Sequence, residues 1–462
     1  MTRIAAFVSH TPTGRRAAMR ATLQSQTSRR ALRPLLAATT LVLGSGLLAA
    51  PAHAECAISG PDLICDGNTG ATAIDTVFGF ESVTFLNGQV LSHQSGFQVI
   101  VTGIAGADFA MDEASSITST ANSALTLVST STGGPITSTT PYGSGINGNL
   151  FSRDNFGLVA TTTGANGSIT LVQGANSTIS GRIGGIRVTT AGANAPIDLT
   201  LNGLVQSRAG TGLEVNTQAA SAIVRVNGRV EGVSPAILGT SISGDIEVVV
   251  GAGGSADGAI GVGLSTTSGS LTVRNAGTIE GGVFGVALSS SGTGAVGPIS
   301  IVQTGTGTIR VKPVAGAAGG VFMTSIDADQ IVTGNGGSTT IDASNGTVGV
   351  SMLSTGTGSI RFSSNTVLGR TGGFQAQQTG AANRGIEVDG IGNITTTSGT
   401  GVLLLITNAA NSGNISYLRE GNVSGDTGIR AEITQGSGSI APVSPGDITA
   451  GNGSADNALI AH

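Results

Sequence analysis

A short motif recurs along this chain about every 28 residues: a glycine or alanine, an apolar residue, any residue, then usually another apolar or small one. It reads Ala124-Leu125-Thr126-Leu127, Gly157-Leu158-Val159-Ala160, Gly185-Ile186-Arg187-Val188 and Gly212-Leu213-Glu214-Val215, and further on Gly285-Val286-Ala287-Leu288, Gly349-Val350-Ser351-Met352 and Gly401-Val402-Leu403-Leu404. Fourteen copies begin between Gly96 and Ala458, at intervals of 24 to 35 residues. Near residue 380 two registers are open, because Gly385-Ile386-Glu387-Val388 fits the motif as well as Gly373-Phe374-Gln375-Ala376. A period in this range marks a repeat architecture, in which each unit buries its apolar face only against its neighbours.

Between copies lie two more short segments. One alternates, as in Ser168-Ile169-Thr170-Leu171 and Ser270-Leu271-Thr272-Val273. The other ends on glycine, as in Thr178-Ile179-Ser180-Gly181 and Thr278-Ile279-Glu280-Gly281. Alternation with β-branched residues predicts strands buried on one side. Glycine at the junctions predicts corners with positive φ. The all-β fold expected is a parallel β-helix, a solenoid of about 14 coils of about 28 residues. A propeller blade is longer, and the leucine-rich and calcium-binding nonapeptide patterns are absent. The long interval between Gly285 and Gly320 predicts a corner loop at Lys312-Pro313.

Such stacking accounts for an unusual composition. Charged residues are 10% of the chain, and Gly numbers 75 of 462. Like charges one strand spacing apart repel, so outward positions are expected to carry Ser, Thr, Asn and Gln.

The first 54 residues differ. They hold seven Arg and no Asp or Glu, and an apolar stretch from Leu35 to Ala50 precedes Ala52-His53-Ala54. This predicts an export signal at 1–54, cleaved between Ala54 and Glu55 with Ala52 and Ala54 as the small residues of the site. Met19 is an alternative start, and Arg29-Arg30 is loosely like a twin-arginine signal as well as an ordinary basic n-region. Residues 55–462 carry 14 Lys and Arg against 26 Asp and Glu, a formal charge of −12. That balance argues against nucleic acid as a partner. Cys56 and Cys65 follow the cleavage site, with a turn at Gly60-Pro61-Asp62 between them. In an oxidising compartment a disulfide is expected, since the spacing is not CxxC and no His is near. Residues 55–95 are read as an N-terminal cap and 96–462 as the repeats.

The leader, the loop Cys56…Cys65-Asp66-Gly67-Asn68 and repeats such as Asn275-Ala276-Gly277-Thr278-Ile279-Glu280-Gly281 together resemble the passenger region of bacterial autotransporters. The resemblance covers almost all of 55–462 and is compositional and periodic. It implies a right-handed β-helix stalk, exported through the outer membrane of a Gram-negative bacterium and displayed on the cell surface or secreted. It also implies a partner, the outer-membrane β-barrel translocator. The family carries that barrel at its C-terminus, whereas the one aromatic residue here after Phe374 is Tyr417. Barrel strands with aromatic girdles are therefore not expected in this chain, which leaves a separate translocator or a truncated passenger.

β-Helices also serve as polysaccharide lyases and hydrolases, whose sites gather acidic groups on one face. Two acidic clusters qualify for inspection. Asp327 and Asp329 would share a face if they lay on one strand, with Asp342 about half a coil further on. Glu387 and Asp389 lie two apart, beside Arg384. Solvated corner residues and a surface charge cluster explain them equally simply. His93 and His462 are the histidines after the leader, which disfavours a serine-protease head or a His-ligated metal. The function expected is a non-enzymatic adhesin or structural stalk, with no cofactor or metal, binding glycans or proteins of another surface. A polysaccharide-active enzyme is the alternative, and a truncated passenger without independent function is the third reading.

Overall fold

Each repeat places three short strands around one turn, because its three alternating segments each have one apolar side to bury. The computed structural model describes residues 55–462 except 61, 67–75, 79–80, 87, 102–105, 131–133, 139–144, 335–337, 364–365, 382–383, 444–446, 451–458 and 462. The signal and Ala52 and Ala54 lie outside the described residues, and Glu55 opens the first strand. All described residues belong to one unit, Ala50–His462. The fold is an all-β parallel solenoid of roughly 13 turns with a period of about 27 residues.

The first face stacks strands such as Ile169–Gln173, Ile197–Leu201, Ala222–Val226 and Ile246–Val250. The second carries Thr178–Gly181, Leu204–Ser207 and Arg229–Glu231. The third carries Phe156–Thr162, Gly184–Thr190 and Thr211–Thr217. Two long strands, Ser255–Thr266 and Thr278–Ser290, run through the corner between the second and third faces. No helix occurs among the described residues.

The third face carries the motif. Phe97, Leu125, Leu158, Ile186, Leu213, Ile237, Val262 and Val286 follow one another in register, and the column continues through Val321, Val350, Phe374, Val402 and Ile429 to Leu459. These are the apolar residues of the fourteen copies. The ambiguity near 380 resolves cleanly: Gly372–Gln378 continues the third face, while Ile386–Ile391 belongs to the first. Lys312-Pro313 lies in the corner between Thr308–Val311 and Gly319–Ser325.

The positive φ expected at the junction glycines is absent at Gly181 and Gly281, where a Cβ would run into the Gly184 and Phe284 carbonyl oxygens, and the motif glycine is likewise set by close approach. Positive φ occurs at corners such as Gly294, Gly305 and Gly316, but along the motif column only at Gly96. Elsewhere the column is glycine because a Cβ has no room. At Gly285 it would lie 2.4 Å from Ile309 Cγ2 and 2.7 Å from the Gly320 carbonyl oxygen. At Gly349 it would lie 2.2 Å from Val367 Cγ1. The branched side chain of the next coil's second face occupies that space. Two described copies carry alanine instead, and both have a compensating neighbour in register. The residue facing Ala124 is Leu150, which has no branch at Cβ, and the residue facing Ala236 is Ala256.

Hydroxyls also enter the core. The third inward position of the third face carries Ser129, Thr162, Thr190, Thr217, Ser241, Thr266, Ser290, Ser325 and Ser354, all buried. Many close the next corner by donating to its carbonyls: Ser129 to Gly134 at 2.7 Å, Thr217 to Ala220 at 2.7 Å and Ser325 to Ala328 at 2.7 Å. A buried hydroxyl without such a partner is costly, and in this column Thr162 Oγ1 and Ser290 Oγ carry that cost.

Charge is managed by alternating sign along the stack. Arg187 pairs with Glu214, Arg225 with Asp198, Arg274 with Glu247 and Arg310 with Glu280, each on the adjacent coil. Among the described residues the expected avoidance of like charges fails in one column. Glu231, Asp257 and Glu280 stand in register on three successive coils. Arg229, Lys312 and Arg310 neutralise them.

At the N-terminal edge Glu55–Ser59 pairs antiparallel with Asp62–Asp66, setting Cys56 opposite Cys65, and the two are disulfide-bonded. Asp62–Asp66 already stacks in parallel on Ser82–Leu86, within the segment read as a cap. Phe85, Phe97 and Phe109 pack there with ring centroids 5.1 to 6.5 Å apart.

Candidate functional site

Asp327 and Asp329 sit in the corner between Gly319–Ser325 and Gln330–Thr333, not on a strand. Ala328 between them is buried, so both carboxylates point outward. Each receives backbone donors that the corners leave open. Asp327 accepts from Gly294 N at 2.7 Å, and from Thr357 N at 2.7 Å and Oγ1 at 3.0 Å. Those bonds, Gly294 first, hold its pKa below the usual carboxylate value. Asp329 accepts from Ser359 N and Oγ, both at 2.8 Å. Partial burial pulls its pKa up, but the Ser359 bonds and Arg384 outweigh that and leave it lowered.

Arg384 joins the two clusters that look separate in sequence. It reaches across one intervening coil to hold Asp329 Oδ2 at 2.7 Å and Oδ1 at 2.9 Å. Next to it, on the first face, Ile331, Arg361, Glu387 and Ser416 form one outward column. Arg361 lies 3.0 Å from Asp389 Oδ2 and 3.7 Å from Glu387 Oε2. The Asp389 hydrogen bond, then Glu387, pushes the Arg361 pKa up. An open groove of about 450 Å³ runs over this column, lined by Ile331, Ser359, Arg361, Glu387, Asn414 and Ser416.

Asp342 is not part of this arrangement. It lies on the second face, in Thr340–Ala343, with Arg310 before it and Leu368 after it. Its carboxylate accepts from Ser344 Oγ at 2.6 Å and N at 3.0 Å. His93 closes the strand Val90–His93. Among the described residues no three His, Cys, Asp or Glu side chains cluster as metal ligands.

Beneath the groove the core is unexpectedly polar. In Ile415–Glu420 the alternation that buries Ile415 and Tyr417 also buries Arg419 and leaves Leu418 half exposed. Arg419 donates from Nε to the Gly392 carbonyl at 3.0 Å and from Nη1 to the Asp389 carbonyl at 3.2 Å. Its guanidinium lies 5.1 Å from the Phe362 ring centroid, a favourable cation–π distance. Burial pushes the Arg419 pKa down to about 10 and that of Tyr417 up to about 12. Strict counting from Ile415 finds this buried arginine in the sequence. A rule that places arginine on the surface conceals it.

Chemically, the groove offers alternating donors and acceptors on a flat sheet. Its lining carboxylate, Glu387, lies 3.7 Å from Arg361, and the neighbouring Asp329, held below its usual pKa, is a poor general acid at neutral pH. Comparison with protein-family models, curated proteins and solved structures gives no match.

Proposed function

We propose that this protein is an exported, non-enzymatic stalk whose outward faces bind another surface, as an adhesin or a structural rod. The single observation that carries the reading is the pairing in the groove. Arg384 engages Asp329, and Arg361 engages Asp389 and Glu387 across coils, so the charged groups brace neighbouring coils and leave a polar surface with one excess negative charge. Repeated polar ladders let many weak contacts add along the rod. The Cys56–Cys65 disulfide supports an oxidising destination. The leader composition and the resemblance to autotransporter passengers support export through an outer-membrane β-barrel partner, with glycans or proteins of another surface as ligands.

One observation favours a second reading, a polysaccharide-active enzyme: Asp329, Arg361, Arg384, Glu387 and Asp389 gather on one side of the solenoid. The test is incubation of the purified protein with a polysaccharide panel. Retention on immobilised glycans without release of reducing or unsaturated ends supports the adhesin. Reproducible release that Glu387→Gln abolishes refutes it. Surface display is tested by protease shaving of intact cells, where loss of the protein is expected and full protection argues against display.

A further inference from the structure

Over seven successive strands the third face presents no charge. From Leu238 and Thr240 to Leu403 and Leu405, the two outward positions of each strand hold no Asp, Glu, Lys or Arg. Ion pairs close the strip at both ends, Arg187 with Glu214 before it and Arg430 with Glu432 after it. Over the same length the first face carries Glu247, Arg274 and Arg361, and the second Asp257, Glu280 and Arg310. Within the strip Thr240, Ser265, Ser289 and Thr324 stack as a run of hydroxyls. Beyond them an open hollow of about 110 Å³ is lined by Phe322, Ser351, Leu353, Gln375, Gln377 and Leu403. The Phe322 ring stacks on Phe284 with centroids 5.3 Å apart. The side chains of Ser265, Ser289, Thr324, Ser351, Gln375 and Gln377 make no hydrogen bond with any described residue. The apolar side chains of the strip are half-buried, unlike the projecting Ile183 and Val233.

We propose that this strip binds a neutral, extended, β-linked hexose polymer laid along the solenoid axis, an inference that rests on the adhesin reading and names its ligand. Three observations choose this occupant. A strip without charge has nothing to pair with a sulfated, uronic or phosphate-bearing chain, and the formal charge of −12 over residues 55–462 repels one. Phe322 and the leucines can take the apolar CH face of a sugar ring, while the free hydroxyls and amides beside them exchange hydrogen bonds with sugar hydroxyls. An apolar lining with a few placed polar groups is how such ligands are held, and groups with no partner in the chain give up only water on binding. A protein partner would need a core of apolar anchors, and the strip's apolar side chains are half-buried. An extended hexose chain also repeats at nearly the strand spacing of about 4.8 Å. Each coil therefore meets the next sugar in a similar way, and weak single contacts add along the chain.

Affinity electrophoresis of the full chain tests this, with hydroxyethylcellulose in the gel as the neutral polymer and polygalacturonate as the acidic comparison. The neutral polymer should retard the protein and the acidic one should not. Ser351→Glu sets a carboxylate in the hollow and should raise the dissociation constant at least about tenfold, with an unchanged β-sheet spectrum and melting curve, because the position faces outward. Thr395→Glu places the same charge on the second face and should leave retardation unchanged. The chain has no Trp, so Phe322→Trp adds a single fluorescent reporter at the ring platform, and cellohexaose should change its emission. Retardation indifferent to Ser351→Glu with a silent reporter, or retention by polygalacturonate instead of the cellulose, overturns the proposal. Binding to an immobilised surface protein with no neutral glycan retained overturns it and leaves the adhesin reading standing. Release of reducing ends from the cellulose overturns both.

Discussion

Replacing Gly285 by alanine tests why the motif begins with glycine. Gly285 lies inside the strand Thr278–Ser290, at a φ open to any residue. A Cβ there meets Ile309 Cγ2 at 2.4 Å and the Gly320 carbonyl oxygen at 2.7 Å. Neither yields cheaply. Ile309 is fully buried and stiff at χ1, and the oxygen belongs to the backbone of the next coil. Overpacking of this kind costs about 1–3 kcal/mol, and removing glycine from the unfolded chain returns about 0.4–1 kcal/mol. The net loss expected for Gly285→Ala is about 1–2 kcal/mol. Gly282→Ala is the control on the same strand. Its Cβ meets nothing closer than Val314 Cγ2 at 3.5 Å, so its stability should hold or rise by about 0.4–1 kcal/mol. The pair Ala124 and Leu150 supplies the rescue: Ile309→Leu moves the branch away from Cβ, and the double variant should be more stable than the two single losses added, by about 1 kcal/mol. Urea unfolding followed by circular dichroism gives the free energies, with hydrogen exchange over 278–325 as a local readout. Equal stability of Gly285→Ala and Gly282→Ala, or strict additivity with Ile309→Leu, refutes the close-approach argument.

Three further outcomes are expected. Asp329 has a folded pKa below the ordinary aspartate value. The stability it contributes is present above that value and is lost as pH falls through the folded pKa, so acid unfolding curves of the protein and Asp329→Asn should converge at low pH and separate above about pH 4. Tyr417, pushed up to about 12, should give a phenolate absorbance step well above the ordinary tyrosine range, and Tyr417→Phe should remove that step alone. Arg419→Met replaces a desolvated charge with an apolar chain of similar length. It removes the donor to the Gly392 and Asp389 carbonyls and should cost about 1–3 kcal/mol in urea unfolding, whereas Arg419→Ala also leaves a cavity and should lose about 2–5 kcal/mol.

The coil is legible in the sequence because burial repeats it: the column from Phe97 to Leu459 is the motif's own apolar residue. The reason for glycine is less legible, since the atom that forbids a Cβ at Gly285 belongs to Ile309, one coil later. The same holds for the site. Arg384 and Asp329 are 55 residues apart, and only the number of residues in the intervening coil sets them side by side. Ser and Thr mislead for another reason. The hydroxyl of Ser241 is polar enough to read as outward, yet it fills the core and closes a corner on Gly244 O at 2.6 Å.

The orientation of the ladders has a mechanical consequence. Strands circle the rod, so the hydrogen bonds that join coils run along its length. Tension between its ends therefore opens those bonds one after another instead of shearing them together. Each coil of about 27 residues that peels away releases roughly 90 Å of extended chain, against the single strand spacing of about 4.8 Å that it occupied. A solenoid of this kind yields in long steps that vary with coil length, absorbing a pull by lengthening while the remaining coils keep their faces intact.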